Sequence, residues 1–262
     1  MKIFLFLLVS YVSFSQVIPE NLKYKIKNAR IQRDPLLIAQ HFYGLPYASH
    51  ALSKENPEKF IVDFTGFDCV TFVENVWSLY RSKGIDSLFL KELTRIRYSK
   101  TPISFENRNH YLSATFTQME DKGLFKQIIP STFLKLAVKK VDFLSHYLAP
   151  KNYFILIDSI KAAEANLGPL TYVPSAQFSA ISSYVRSGDL IAFVSKRKDL
   201  DYQHVGLVRE FGGQFYLVHA SQDRHKVCQS VESISVYLKN HPSMIGFNVC
   251  LLYTSPSPRD CS

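Results

Sequence analysis

The sequence predicts an α+β domain in which helices come first and pack against an antiparallel sheet that follows. Apolar residues recur at helical spacing in the first half, most clearly from Asp68 to Tyr80. Beyond Gly188-Asp189 the pattern changes to short runs rich in branched residues, two of them flanking Gly212-Gly213. Helical and strand segments grouped in this way point to α+β rather than to an alternating α/β fold. Composition permits a sizeable core: 47% of the 262 residues are apolar and 20% are charged. With 10 Gly and 12 Pro, a collagen-like or low-complexity chain is excluded.

Taken in order, Lys2, the apolar run Ile3 to Val9 and the small residues Ser13 and Ser15 read as a signal peptide over residues 1–15. The run falls short of the roughly 20 apolar residues a spanning helix needs. No Cys near the cleavage point offers a lipid site. The mature protein is therefore expected to be exported, periplasmic or extracellular, without a membrane anchor. A helix is expected over Ile31 to Tyr43, ended by Gly44-Leu45-Pro46-Tyr47, and Phe60 to Phe64 reads as a short extended run. Asp68 to Tyr80 is the expected central buried helix, stopped by Gly84. An elaborated middle from about residue 86 to 174 mixes helical pieces, such as Phe133 to Val138, with polar loops, and its topology is not legible. Strands are expected at Leu190 to Val194, His204 to Phe211, Gln214 to Ala220 and Met244 to Val249. No internal repeat or long linker divides residues 16–250, which read as one domain. Residues 251–262 turn abruptly Ser/Pro-rich and read as a tail of non-native sequence.

The four cysteines are scattered and form no C-x-x-C pair, which argues against a zinc ribbon. One of them is placed for chemistry. Asp68 is a natural N-cap, so Cys69 falls in the first helical turn, where free backbone N–H groups and the helix dipole favour thiolate. A thiolate nucleophile needs a base nearby. If Phe211 pairs with Gln214 across the two glycines, Gly206 lies opposite His219 and Ser221 opposite His204. Both imidazoles then project from one sheet face as diagonal neighbours, about 7–8 Å apart at the backbone. That register makes His204 a candidate base for Cys69 and His219 the residue that fixes its tautomer. A three-residue loop would put the rings on opposite faces.

Gly44-Leu45-Pro46-Tyr47, Phe67-Asp68-Cys69-Val70-Thr71-Phe72-Val73-Glu74, Gly188-Asp189-Leu190, His204-Val205-Gly206 and His219-Ala220-Ser221 occur in that order. Together they resemble the motifs of the NlpC-type, papain-like cysteine peptidases and amidases of bacterial cell walls. Ile96-Arg97-Tyr98 and Arg108-Asn109-His110-Tyr111 bring the chain closer to the branch of N-acetylmuramoyl-L-alanine amidases. The resemblance implies a papain-like fold with the nucleophile at the start of the central helix, and attack on a peptidoglycan amide through a thioester. It implies Cys69 as nucleophile, His204 as base and then acid, and His219 as the orienting third member, with backbone N–H groups as oxyanion donors. Tyr47 and Asp68 match positions lining the substrate site. Arg108 is a candidate partner for a substrate carboxylate or a structural ion pair, and Ser221 a candidate polar contact to the peptide.

Val70 and Thr71 stand where many relatives carry Ser and Gly, which fits the bond between the sugar lactyl group and L-Ala better than the γ-D-Glu bond. A γ-D-glutamyl endopeptidase, a zinc amidase with Cys69, His204 and His219 as ligands, and a non-catalytic wall-binding module are the alternatives. The absence of H-E-x-x-H or similar spacing favours the thiol, with no metal or other cofactor. A net charge of +9 fits a substrate bearing stem-peptide carboxylates. Nucleic acid is not an expected partner: Lys139-Lys140 and Lys196-Arg197-Lys198 are short clusters with no regular aromatic stacking motif.

Overall fold

Residues 34–49, 52, 58–148 and 154–252 are described by a computed structural model of the chain. The expected signal peptide and the tail from residue 253 lie outside the described residues. Helix α1 (Pro35–Gln40) opens the described chain; Asp34 Oδ1 accepts the N–H groups of Leu36 and Leu37 at 2.8 and 3.2 Å. This helix is shorter than the expected Ile31 to Tyr43. Pro35 at its first position fits a helix start, and the chain turns after His41 towards Gly44; residues 31–33 lie outside the description. Helix α2 (Cys69–Arg81) follows, then α3 (Asp86–Arg97) and α4 (Leu112–Asp121). Phe60 to Phe64 forms neither helix nor ladder.

The middle contributes short strands β1 (Phe125–Gln127) and β2 (Lys135–Ala137), helices α5 (Phe143–Leu148) and α6 (Phe154–Ala165), and strand β3 (Leu170–Pro174). Phe133 to Val138, expected to be helical, is instead a 3-10 turn running into β2. Leu136 and Val138 are 63% and 86% exposed, so the run is apolar without being core, and its composition misleads. After the one-turn helix α7 (Phe178–Ile181) come β4 (Leu190–Ser195), β5 (Tyr202–Phe211), β6 (Gln214–Ser221), β7 (Lys226–Ser233), α8 (Ile234–Asn240) and β8 (Met244–Leu252). Strand β8 runs past residue 250, and Leu251 and Leu252 pair with Lys126 and Phe125.

The strands form one antiparallel sheet in the order β2-β3-β8-β4-β5-β6-β7, with β1 also paired to β8. Central strand β4 is buried throughout, and its side chains sort by parity. Leu190, Ala192 and Val194 join a core with Phe72, Val76 and Trp77 of α2, while Ile191 and Phe193 join a second core with Phe178 of α7 and Ile234 and Leu238 of α8. Helices thus cover both faces. Each fully buried large apolar side chain contributes about 1.5–3 kcal/mol relative to exposure, so α2 is held firmly where it meets β5.

Candidate active site

Helix α2 begins at Cys69 because its neighbours cap it on both sides of the first turn. Asp68 Oδ1 accepts the N–H of Thr71 at 2.7 Å, and Thr71 Oγ1 accepts the N–H of Asp68 at 3.0 Å. This reciprocal cap fixes the entry of the chain and the direction of the cysteine. The Cys69 side chain is half-buried and lines a cavity of about 220 Å³ together with His204. Tyr202 and Gln203 at the start of β5, and Asn109 to Leu112 ahead of α4, complete much of its wall.

The expected hairpin register is present. Phe211 pairs with Gln214 and Leu207 with Val218, and Gly212 and Gly213 both have positive φ, 59° and 73°, as a two-residue type I′ turn requires. His204 Nε2 lies 2.5 Å from His219 Nδ1, with the rings nearly perpendicular at 79°. Gly206 makes room for this contact: a Cβ there would lie 2.7 Å from Leu217 Cδ1, 2.8 Å from the Val218 carbonyl oxygen and 3.1 Å from His219 Cβ. Both rings share the face that carries Phe193 and Tyr237. Val205, between His204 and Gly206, packs in the core of α2, and its backbone N–H is directed at the Cys69 sulfur.

Electrostatics correct one expectation. The helix start was expected to favour thiolate, yet burial, reinforced by the Asp68 carboxylate, pushes the Cys69 thiol up to about 12. Backbone N–H groups of Val205, Cys69 and Val70 oppose this without overcoming it. The magnitudes explain the outcome: burial shifts a group by up to 3–5 pKa units, whereas a helix terminus contributes about 0.3–1 kcal/mol. Burial also lowers His204 to about 4, helped by nearby His241, and depresses His219 through burial and the adjacent His204. Burial at this site thus favours the neutral thiol and neutral imidazoles over their charged forms.

The remaining expected residues divide. Tyr47 is half-buried beside Cys69 and Asp68, and its phenol is raised, chiefly by burial. Asp68 is engaged as the helix cap. Arg108 Nη1 lies 3.0 Å from Glu58 Oε1, with the two side chains 8% and 1% exposed, an ion pair of the structural kind that the sequence allowed. Ser221 is buried, and its Oγ accepts the N–H of Arg224 at 3.2 Å, a contact within the β6–β7 turn. Two zinc ligands on one ion keep their nitrogens roughly 3.3 Å apart, given zinc–nitrogen bonds of about 2.0–2.1 Å. The two imidazoles instead bond to one another, and among the described residues no three His, Cys, Asp or Glu side chains are grouped to hold a metal.

Sequence reasoning missed Tyr237 and His241. Tyr237 packs against both imidazoles, and His241 stacks on Tyr237 with ring centroids 4.0 Å apart. Their spacing of four, across a short helix that follows a Ser and ends at Asn240, was the available signal.

Comparisons with known proteins agree with this architecture. The chain is similar in structure to an N-acetylmuramoyl-L-alanine amidase from Bacteroides uniformis, with a TM-score of 0.78 and 22% identity over 85% of this chain and 100% of that one. A putative xylanase from Bacteroides fragilis matches with a TM-score of 0.74 and 24% identity, over 81% of this chain and 98% of that one. Protein LPG0564 from Legionella pneumophila, of family DUF1460, matches with a TM-score of 0.69 and 21% identity, over 89% and 93%. At these identities the likenesses show the fold. No curated protein sequence matches the chain. The model of one sequence family matches residues 37–246, spanning both Cys69 and the histidine pair. The chain belongs to the AmiA-like family of N-acetylmuramoyl-L-alanine amidase-like proteins.

Proposed function

We propose that this chain is an exported cysteine amidase of the NlpC-type, papain-like superfamily. Its substrate is the amide joining the lactyl group of N-acetylmuramic acid to L-Ala, in peptidoglycan or in fragments of it. The observation that carries the reading is that His204 lines one cavity with Cys69 and lies 2.5 Å from His219. Family membership supports the bond type, and the Lys2 to Ser15 pattern supports export. Residues 16–250, extended to Leu252, are the catalytic domain in this reading.

With the shared proton on His204 Nε2 and His219 Nδ1 accepting it, His204 Nδ1 has a free lone pair. That nitrogen takes the Cys69 thiol proton as the sulfur attacks the carbonyl carbon and the carbonyl π pair moves to oxygen. Backbone N–H groups at the start of α2 stabilise this oxyanion. The C–N bond then breaks, His204 gives the proton to the departing L-Ala nitrogen, and a thioester remains. Water, deprotonated by His204, attacks the thioester; the C–S bond breaks and the thiol is restored. Because burial favours the uncharged forms, proton transfer accompanies attack rather than preceding it. Tyr47, half-exposed beside the sulfur, is the substrate contact best supported by position.

Cys69→Ala is expected to abolish release of L-Ala-led peptides from defined muropeptides, a loss of about 10³-fold or more, with the melting temperature unchanged. Fragment masses decide the bond: cleavage after γ-D-Glu would replace this specificity with the endopeptidase alternative. Undiminished turnover by the variant would remove Cys69 from the mechanism.

A further inference from the structure

The imidazole pair is backed by a second polar array that the mechanism above does not use. Tyr237 of α8 is buried, its ring 5.9 Å from His219 at 87° and 6.5 Å from His204 at 31°. Phe193 of β4 packs against both Tyr237 and His204, its ring 6.2 Å from His204 at 15° and 5.6 Å from Tyr237 at 44°. The three rings form one packed cluster at the imidazole pair. Behind Tyr237, His241 stacks at 4.0 Å and 26°. His241 Nδ1 lies 2.7 Å from the Tyr237 carbonyl oxygen, and Nε2 lies 3.5 Å from Asp223 Oδ2. A carbonyl can only accept, so Nδ1 carries hydrogen, and Nε2 faces the Asp223 carboxylate. The imidazole is thus oriented at both nitrogens while it stacks on the phenol ring.

We infer that Tyr237, His241 and Asp223 are positioning residues, which hold the His204–His219 pair in place and set the charge behind it. The inference rests on the proposed role of that pair as base and orienter. His241, stacked behind Tyr237, acts against positive charge on the pair, keeping His204 able to accept a proton. Asp223 moderates the effect. The same directions appear in the electrostatics, where His241 lowers His204 and Asp223 raises it. The other titratable or charged groups facing the pair are Cys69 of α2, Arg224 of the β6–β7 turn and Cys228, which pairs with His219 across β7. Of these, Arg224 acts in the same sense as His241 on His219.

The experiment compares His241→Asn and Asp223→Asn by the pH profile of kcat/KM on a defined muropeptide and by NMR titration of the ring protons of His204 and His219. Both substituted side chains reach solvent, 25% and 77% exposed, so folding is expected to persist and is checked by melting temperature. His241→Asn is expected to move the acid limb up by about half a pH unit, and Asp223→Asn to move it down by a similar amount. The ring titrations should shift in the same opposite senses. A merely structural role would leave both limbs in place or move them together, which would overturn the inference. NMR also separates the two failures: opposite ring shifts without thiol-dependent turnover would uphold the array and refute the amidase reading. Tyr237→Leu is expected to lower kcat about tenfold with KM little changed, and Tyr237→Phe to restore it; equal loss in both would make the hydroxyl rather than the ring decisive and remove the positioning role.

Discussion

Helix α2 buries ionisable side chains in two places less than two turns apart, and the molecule treats them in opposite ways. Glu74 meets a guanidinium: Arg97 Nε lies 2.8 Å from its Oε2, and Arg97 Nη1 donates to the Ile61 carbonyl at 2.6 Å. A second buried pair, Arg108 with Glu58, adds the Tyr98 hydroxyl, which donates to Glu58 at 2.7 Å. At Cys69 there is instead a thiol pushed up by burial and an imidazole pushed down. Pairing charges fixes geometry and leaves no proton to move. The first cluster thus ties α2 to α3 and to the segment from Glu58 to Phe64, while the second, in the proposed mechanism, keeps a proton available for transfer from sulfur to imidazole.

The sharpest way to break that contrast is to remove the cation from the paired cluster. Burial outweighs even Arg97 in the balance on Glu74, whose carboxyl remains raised. Arg97→Met should therefore destabilise the protein by about 3–5 kcal/mol, measured by urea unfolding. Glu74→Leu added to Arg97→Met should recover much of the loss, because an uncompensated buried charge rather than a lost bond is its source. Absence of recovery would show that Arg97 acts through the Ile61 carbonyl and the Phe60 ring, which it overlies at 5.7 Å.

A smaller substitution tests the neutral cluster. Gly206→Ala would place its Cβ against the backbone of Val218 as well as against His219, and backbone cannot step aside. Overpacking of this kind costs about 1–3 kcal/mol. Turnover should fall more than stability, since the displaced neighbour is one member of the imidazole pair. Equal effects on both would mean that the pair tolerates movement.

Legibility followed the range of the interactions. The hairpin could be read because Gly212-Gly213 is a local signal, and one correct loop length fixed every later pairing, including the meeting of two rings 15 positions apart. Asp68 as a cap was local too. What escaped was settled at a distance. Arg108 stayed open between a substrate carboxylate and a structural ion pair, because its partner Glu58 lies 50 positions earlier in an unpatterned stretch. Strand β7 was missed because its burial does not alternate cleanly; Val227 and Ser230 are buried while Val231 is 72% exposed. The thiol's state was misjudged because the helix start is visible in sequence and the burial around it is not.

Asp68 joins the two themes, since it caps the helix and also bears on the thiol. Asp68→Ala should cost about 1 kcal/mol through loss of the cap. It should also make Cys69 react faster with iodoacetamide at fixed pH, because removing a neighbouring negative charge lowers the thiol and enlarges its thiolate fraction. Asp68→Asn separates the effects: the amide oxygen still accepts from Thr71, so stability should hold, while the faster alkylation should remain. If the Asn variant alkylates no faster than wild type, the carboxylate is not what restrains the sulfur, and burial alone holds the thiol neutral. Were that so, the reactive fraction would be governed by how the cavity opens rather than by the charge at its rim.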